Sequence, residues 1–394
     1  MTKTAFAPAV AGRSGEWSAD PGFGVYVHIP FCRHRCHYCD FNTYEGQDSV
    51  HGAYVDALVR HIEGFSARLG PATSVFFGGG TPTLLPAADL ARIFEAVRAR
   101  VGIAPDAEIT VEANPETVDE NKFEALLGAG FNRVSIGVQS LVPHVLLGLG
   151  RTHSPEVALA AIAAARRAGF DDINADLIYG SQWESRDDWL RSLDGVVAAA
   201  PDHISAYALT IESGTPLATL VSTGRLPDVD PDVQAERHSV ASEVLGAAGY
   251  LRYEVSNWAH PGRASRHNVL YWSAGDYYGF GAGAHGHVGG RRSWSVRLPR
   301  EFISRVAAGA SLEAGGEVLE GDARAGEALM LGLRLASGID LAAFGARFGA
   351  PALAARRTDI ERLKGNGLVV EESNRLRIPE RHTLIANEVA AALL

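Results

Sequence analysis

From residue 24 to about residue 210, short β-branched or aromatic runs alternate with longer Ala/Leu/Arg stretches of helical period, and no other feature restricts the fold as tightly. The runs at 25–29, 74–77, 108–112, 133–138, 172–179 and 203–210 read as strands. The stretches 49–69, 86–101, 117–129, 155–168 and 185–199 read as helices. Pro86 and Pro155 suit first helical turns, Ser154 suits a cap, and Gly130 and Gly169 follow helix ends. Repeated strand–helix units call for a parallel sheet with right-handed crossovers. Six strands fall short of a closed eight-stranded barrel, so the expectation is an α/β fold: a partial (β/α)6 barrel, with an open doubly wound sheet as the alternative. The strand ends carry unusual residues: a cysteine loop, then 78-GGGTPT-83, Glu112 before Asn114-Pro115, Gln139-Ser140, Asp176 with Tyr179, and Tyr207. A parallel barrel gathers such ends on one face, where it carries its active site. Packing alone would put apolar residues there.

Beyond residue 215 the rhythm stops. Residues 220–232 read as a linker, and the aromatic, Gly-rich stretch 250–290 as short strands and tight loops rather than helices. From about 321 the chain turns helical again and closes with two strands about a Ser373-Asn374 turn and a final helix. The expected organisation is a flexible N-terminal arm (1–22), a barrel (23–220), a linker with the aromatic region (221–320) and a winged-helix-like module (321–394). A hydrophobic content of 46% and a charged content of 21% are those of a soluble globular protein, with the cytoplasm the default location. The net charge of −10 argues against nucleic-acid binding.

Cys32, Cys36 and Cys39 are the only cysteines in 394 residues. An odd, tightly spaced set does not make a disulfide framework. Thiolates favour zinc and iron–sulfur clusters. His28, His34 or His37 would complete a Cys3His zinc site, as in a zinc-containing scaffold protein. Alternatively, three thiolates hold a [4Fe–4S] cluster and leave one iron open. That iron can bind S-adenosylmethionine, whose reductive cleavage gives a 5′-deoxyadenosyl radical.

The pattern CxxxCxxC after the first strand, with Tyr38 before the last cysteine and GGGTP after the second strand, resembles the radical SAM superfamily. Within it the stretches VYVHIPFCRHRCHYCDFN, FFGGGTPT, VEANPE, GVQS, LGRTH, NADLIYG, RHNVLYW and GFGAGAHG are similar to the HemN/HemW group over nearly all of 24–394. The resemblance implies that Cys32, Cys36 and Cys39 ligate the cluster. It also implies that Tyr26, Tyr38, Gly79, Gly80, Thr81, Glu112, Gln139, Arg151, Asp176 and Ala208 line the S-adenosylmethionine site. There Glu112 would take the ammonium, Arg151 the carboxylate and Asp176 the ribose hydroxyls. Oxygen-independent coproporphyrinogen III oxidases carry a further cysteine two residues on, where this chain has Phe41, and a longer N-terminal arm. CDFN and 267-HNVLYW-272 look instead like HemW, haem chaperones that bind haem and pass it to apo-haemoproteins, peripherally at membranes where the recipients sit there.

In HNVLYW a neutral His267 imidazole can ligate haem iron, with Tyr271 and Trp272 as flat apolar surface. The plainer reading has His267 and Asn268 satisfying backbone groups while Tyr271 and Trp272 fill the core. His285 and His287 are further candidate ligands. GFGAGA follows no strong strand and opens no helix, so it is not a dinucleotide motif. After strand five the group usually has Gly-x-Pro-Gly, whereas this chain has 180-GSQWES-185, which predicts an altered loop on the active face.

Overall fold

The computed structural model describes residues 15–66 and 69–394. Strands β1 (Phe23–Ile29), β2 (Ala72–Gly79), β3 (Ile103–Ala113), β4 (Arg133–Gln139), β5 (Ile173–Tyr179) and β6 (His203–Ala208) lie side by side in chain order, all parallel. The helices His51–Gly64, Ala87–Val101, Glu120–Ala129, Pro155–Ala168 and Arg186–Ala198 make the crossovers. An order that never reverses is that of a partial barrel, not of a doubly wound sheet.

Alternation along each strand decides what lies inside. Val25, Val27 and Ile29 of β1, Ile109 and Val111 of β3, Val134 and Ile136 of β4, and Ile173, Ala175 and Leu177 of β5 join the main apolar core under the helices. Their neighbours in sequence point the other way, because side chains alternate across a strand. Glu112, Ser135, Asn174, Asp176 and Ser205 therefore line an interior space. A closed barrel fills that space with branched aliphatic side chains. Here it is polar and hollow.

The chain beyond residue 220 extends both edges of this sheet. Strands β7 (Leu251–Arg252) and β8 (Asn257–Ala259) add to β6 antiparallel. Strand β9 (Asp276–Phe280) pairs parallel with β1, and β10 (His285–Val288), β11 (Arg291–Ser295) and β12 (Glu313–Val318) continue as an antiparallel ribbon. The expected boundary at 220/221 is thus no break in the sheet. Both ends of the expected linker are helical, in Pro216–Ser222 and the start of Pro231–Ala247, each with proline in its first turn and a Thr215 or Asp230 side-chain cap.

The stretch expected to lack helices contains one, Arg266–Trp272. Ser265 caps it through the Asn268 N–H, and the buried Glu108 side chain of β3 accepts from the Arg266 N–H at 2.8 Å, the His267 N–H at 3.1 Å and Ser265 Oγ at 3.3 Å. A carboxylate against a helix N-terminus also meets the positive end of the dipole. The helix closes the end of the barrel interior opposite the cysteine loop, with His267 against Gly24 at the start of β1 and Ser74 near the start of β2.

Residues 321–394 build a second core from the helices Gly321–Gly332, Leu341–Phe348, Ala350–Gly365 and Ala386–Ala391 and the strands β13 (Ile339–Asp340), β14 (Val370–Glu372) and β15 (Arg375–Arg377). Ser373 and Asn374, with φ of 51° and 64°, form the two-residue hairpin turn between β14 and β15. Trp17, buried among these residues and beside Phe344, ties the chain start to this core. Within the expected flexible arm, Trp17 is therefore anchored while Glu16, Ala19 and Asp20 are exposed, and residues 1–14 lie outside the described residues. Among the described residues no helix is long and apolar enough to cross a membrane.

Because Glu108 satisfies three donors at once, Glu108→Ala leaves buried N–H groups unpaired. The expected loss is about 3 kcal/mol, read as a lower urea midpoint. Glu108→Gln, which keeps an acceptor, should recover part of it.

Candidate functional site

The cysteine loop leaves β1 and is pinned by backbone bonds from Cys32 N to Tyr44 O (3.0 Å), Thr81 N to Phe31 O (2.7 Å) and His37 N to Leu149 O (3.2 Å). Cys32, Cys36 and Cys39 are unbridged and half-buried. They open on one cavity of about 440 Å³. The rest of its wall comes from strand ends: Gly79, Gly80 and Thr81 after β2, Glu112 and Asn114 from β3, Gln139 from β4, Asp176 from β5 and Ala208 from β6, with Tyr38 and Arg151. Every residue expected at the cofactor site lies here except Tyr26. That phenol bonds to His28 Nδ1 at 2.8 Å and faces the adjoining cavities, behind Glu112.

The glycines serve close approach. A Cβ on Gly80 would stand 2.5 Å from the Phe31 carbonyl oxygen. Gly79 has φ 113°, and its N–H donates to Glu112 at 3.1 Å. Gln139 adopts φ 64° where the β4–β5 register shifts, which turns it towards the cavity. Nothing in the sequence announced that bulge.

Burial, reinforced by neighbouring Asp176, pushes the Glu112 carboxyl up to about 8. Burial raises Asp176 too, against hydrogen bonds from Ser135 Oγ and Asn174 Nδ2, both 2.8 Å. Arg151 donates to Cys36 Sγ at 3.3 Å, Asn114 Oδ1 at 2.6 Å and Gly137 O at 3.0 Å. Burial works against its charge, yet Tyr38 and Cys36 hold its pKa above the ordinary range. Burial pushes the Cys32 thiol up to about 11 and raises Cys39. A bare thiolate is disfavoured at these positions, and a positively charged centre would be needed to draw the protons off. The cavity thus offers soft sulfur ligands on one side and, on the other, a carboxyl and a guanidinium able to read an amino acid.

A profile of the radical SAM superfamily matches residues 26–194, and one of the HemN C-terminal domain matches residues 319–382. The protein "Heme chaperone HemW" of Mycobacterium tuberculosis (strain ATCC 25618 / H37Rv) is 44% identical over 379 residues, covering 94% of this chain and 95% of that one. "Heme chaperone HemW" of Bacillus subtilis (strain 168) is 32% identical, covering 94% and 98%. The chain belongs to the HemW family. Its fold also matches the solved radical SAM coproporphyrinogen III oxidase HemN of Escherichia coli, with a TM-score of 0.80 and 22% identity over 97% of this chain and 91% of that one. Radical SAM membership implies a [4Fe–4S] cluster and S-adenosylmethionine.

The HNVLYW side chains of this HemW-family chain do not form one face. His267 is 1% exposed, with Nδ1 at 2.9 Å from Ser74 Oγ and Nε2 at 2.8 Å from the Tyr271 hydroxyl. Burial pushes it down to about 3, so the ring is neutral. Tyr271 turns into the barrel interior, whereas Trp272 packs on the C-terminal core beneath the Arg334 guanidinium. Consecutive helical residues point roughly 100° apart, so Tyr271 and Trp272 cannot flank one macrocycle together in this arrangement. His287 is buried near Gly275 O, and His285 is exposed and stacked on Trp294.

The GSQWES departure has a visible consequence. Trp183 lies over Gly148, in the helix Pro143–Leu149 whose last turn holds His37 of the cysteine loop. Phe41, 64% exposed, stands at the cavity rim.

Since any side chain at Gly80 would strike backbone, Gly80→Ala should cost about 2 kcal/mol and lower the iron and sulfide retained after anaerobic reconstitution. Thermal melting and iron–sulfide analysis test both effects.

Proposed function

We propose that this protein is a cytoplasmic haem chaperone that holds a [4Fe–4S] cluster through Cys32, Cys36 and Cys39, binds S-adenosylmethionine beside it, and carries haem for apo-haemoproteins. The observation that carries the reading is three free thiols around one cavity whose opposite wall offers Glu112, Arg151 and Asp176. Kinship to proteins named haem chaperones, over nearly the whole chain, supports the haem part.

The residues fit the group. Three free thiols face one cavity and are the donor set that leaves one iron of a [4Fe–4S] cluster open. When bound and reduced, the cluster supplies the electron that cleaves the sulfonium. The chain's own groups bind and orient. Glu112 receives the ammonium of the methionyl end, Arg151 its carboxylate and Asp176 the ribose hydroxyls. Gly79 and Gly80 let the backbone approach. Phe41, where the oxidases have a further cysteine, speaks against coproporphyrinogen oxidation. Ligation of haem by His267 requires one of its two side-chain hydrogen bonds to open.

With a carboxyl near 8, Glu112 is mostly protonated at pH 7 in the empty cavity. An ammonium beside it lowers that pKa, so S-adenosylmethionine binding at pH 7 should release up to about one proton. The release should shrink towards pH 9, where the carboxyl is already ionised. Calorimetry in buffers of different ionisation enthalpy measures it, and Glu112→Gln should abolish it.

Anaerobic reconstitution should give a [4Fe–4S] EPR signal that Cys32→Ser, Cys36→Ser or Cys39→Ser each removes. Stoichiometric zinc in its place would defeat the proposal. The reconstituted protein should bind haem and form no protoporphyrinogen from coproporphyrinogen. Turnover of coproporphyrinogen would move the assignment to the oxidases.

A further inference from the structure

Next to the cysteine cavity lies a larger one, of about 650 Å³. It falls within the roughly 300–1,000 Å³ that cofactor-sized ligands occupy. The two share Phe41, Gly79 and Glu112. Its floor is Tyr26 and Tyr271, and its outer wall is the β9–β11 ribbon, which contributes Tyr277, His285 and Trp294. The wall is aromatic on several sides, and two of the polar side chains that face it, His285 and Arg297, have few partners.

His285 is the first of these. It is paired across the ribbon with Trp294, and the two rings stack with centroids 5.6 Å apart and planes 26° from parallel. The stack fixes the ring plane. Among the described residues neither nitrogen of His285 has a hydrogen-bond partner, whereas both nitrogens of His267 are engaged. Partial burial, with Arg292 and Arg297 nearby, lowers the pKa of His285, which favours the neutral ring.

Arg297 is the second. In a chain of net charge −10, it has no carboxylate within ion-pair distance among the described residues. Its Nε alone is bonded, to Asn42 Oδ1 at 3.3 Å. The remaining donors of its fork are unspent, and such a fork matches a carboxylate.

The turn that sets these groups in place is rigid. Asn42 Nδ2 donates to Ala282 O and to Arg297 O, both at 3.1 Å, so the cysteine loop is bolted to the start of the ribbon. Gly283, with φ 75°, packs against the Asn42 side chain where a Cβ would collide. GFGAGAHG therefore has a physical account: its glycines bring His285 up to the rim beside the cysteine loop.

We propose that this second cavity is the haem seat, with His285 as an iron ligand, Trp294 orienting its ring, Phe41 and Tyr277 against the macrocycle, and Arg297 pairing with a propionate. The assignment rests on the haem-carrying reading above and replaces His267 with His285 as the ligand. It also sets haem against the cavity that receives S-adenosylmethionine, with Glu112 and Phe41 common to both.

The test is titration of full-length, reconstituted protein with ferric haem, followed by Soret absorbance and EPR. His285 is exposed, so His285→Ala should fold as the parent does, which circular dichroism checks. The expected result is an affinity loss on the order of tenfold or more, disappearance of the imidazole-ligated spectrum, and its return on adding free imidazole. Arg297→Ala should weaken haem binding several-fold without changing the spectrum, and should bind haem dimethyl ester as the parent does. His267→Gln should keep the parent spectrum. A parent-like titration and spectrum for His285→Ala, with the signal lost in His267→Gln, overturns this seat but leaves haem binding standing. Failure of the parent protein to bind haem overturns the haem reading itself.

Discussion

Hollowness of the barrel interior is the constraint on which the rest of the structure depends. With helices covering one side of each strand, alternation sends Glu112, Ser135, Asn174, Asp176, His203 and Ser205 inwards. Polar groups buried there must find one another or a ligand. Many do. Asp176 accepts from Ser135 and Asn174, Asn174 Oδ1 meets His203, and His203 Nε2 meets the Tyr253 hydroxyl at 2.9 Å. The network runs from the lower interior up to the cavity and stiffens the strand ends that a cofactor would touch. Glu112 accepts a single N–H, from Gly79, and that one bond does not offset the burial and the neighbouring Asp176 that raise its pKa.

A hollow interior also needs an end wall. The helix Arg266–Trp272 supplies it, anchored on Glu108 and on His267 between Ser74 and Tyr271. It is one element with two faces: Tyr271 looks into the barrel, while Val269 and Trp272 join the C-terminal core. Barrel interior and C-terminal module thus rest on opposite sides of seven residues.

Much of the barrel was legible because its signals are local. Period-two strands, proline at first turns and glycine after helix ends led to all six parallel strands and to the cavity beneath their ends. The strand-end residues expected at one site share a cavity wall because strand-end positions follow from register. What escaped depended on contacts distant in sequence. The helix Arg266–Trp272 was hidden by its aromatic composition, and its N-terminus is completed by Glu108, far earlier in the chain. Trp17 looked like part of a loose arm, since nothing near it predicts a partner beyond residue 320. Tyr271 and Trp272 were grouped as one surface because the stretch was not read as a helix, in which neighbours diverge.

Trp183 over Gly148 has a reach beyond its loop. The indole occupies the volume that a side chain at 148 would need, and the same turn holds His37 next to the thiols. Positions 148 and 183 therefore behave as one steric unit across two segments. A smaller residue at 183 would open room for a side chain at 148, whereas the tryptophan leaves none. The footing of the cysteine loop on this turn is thus coupled to the size of residue 183.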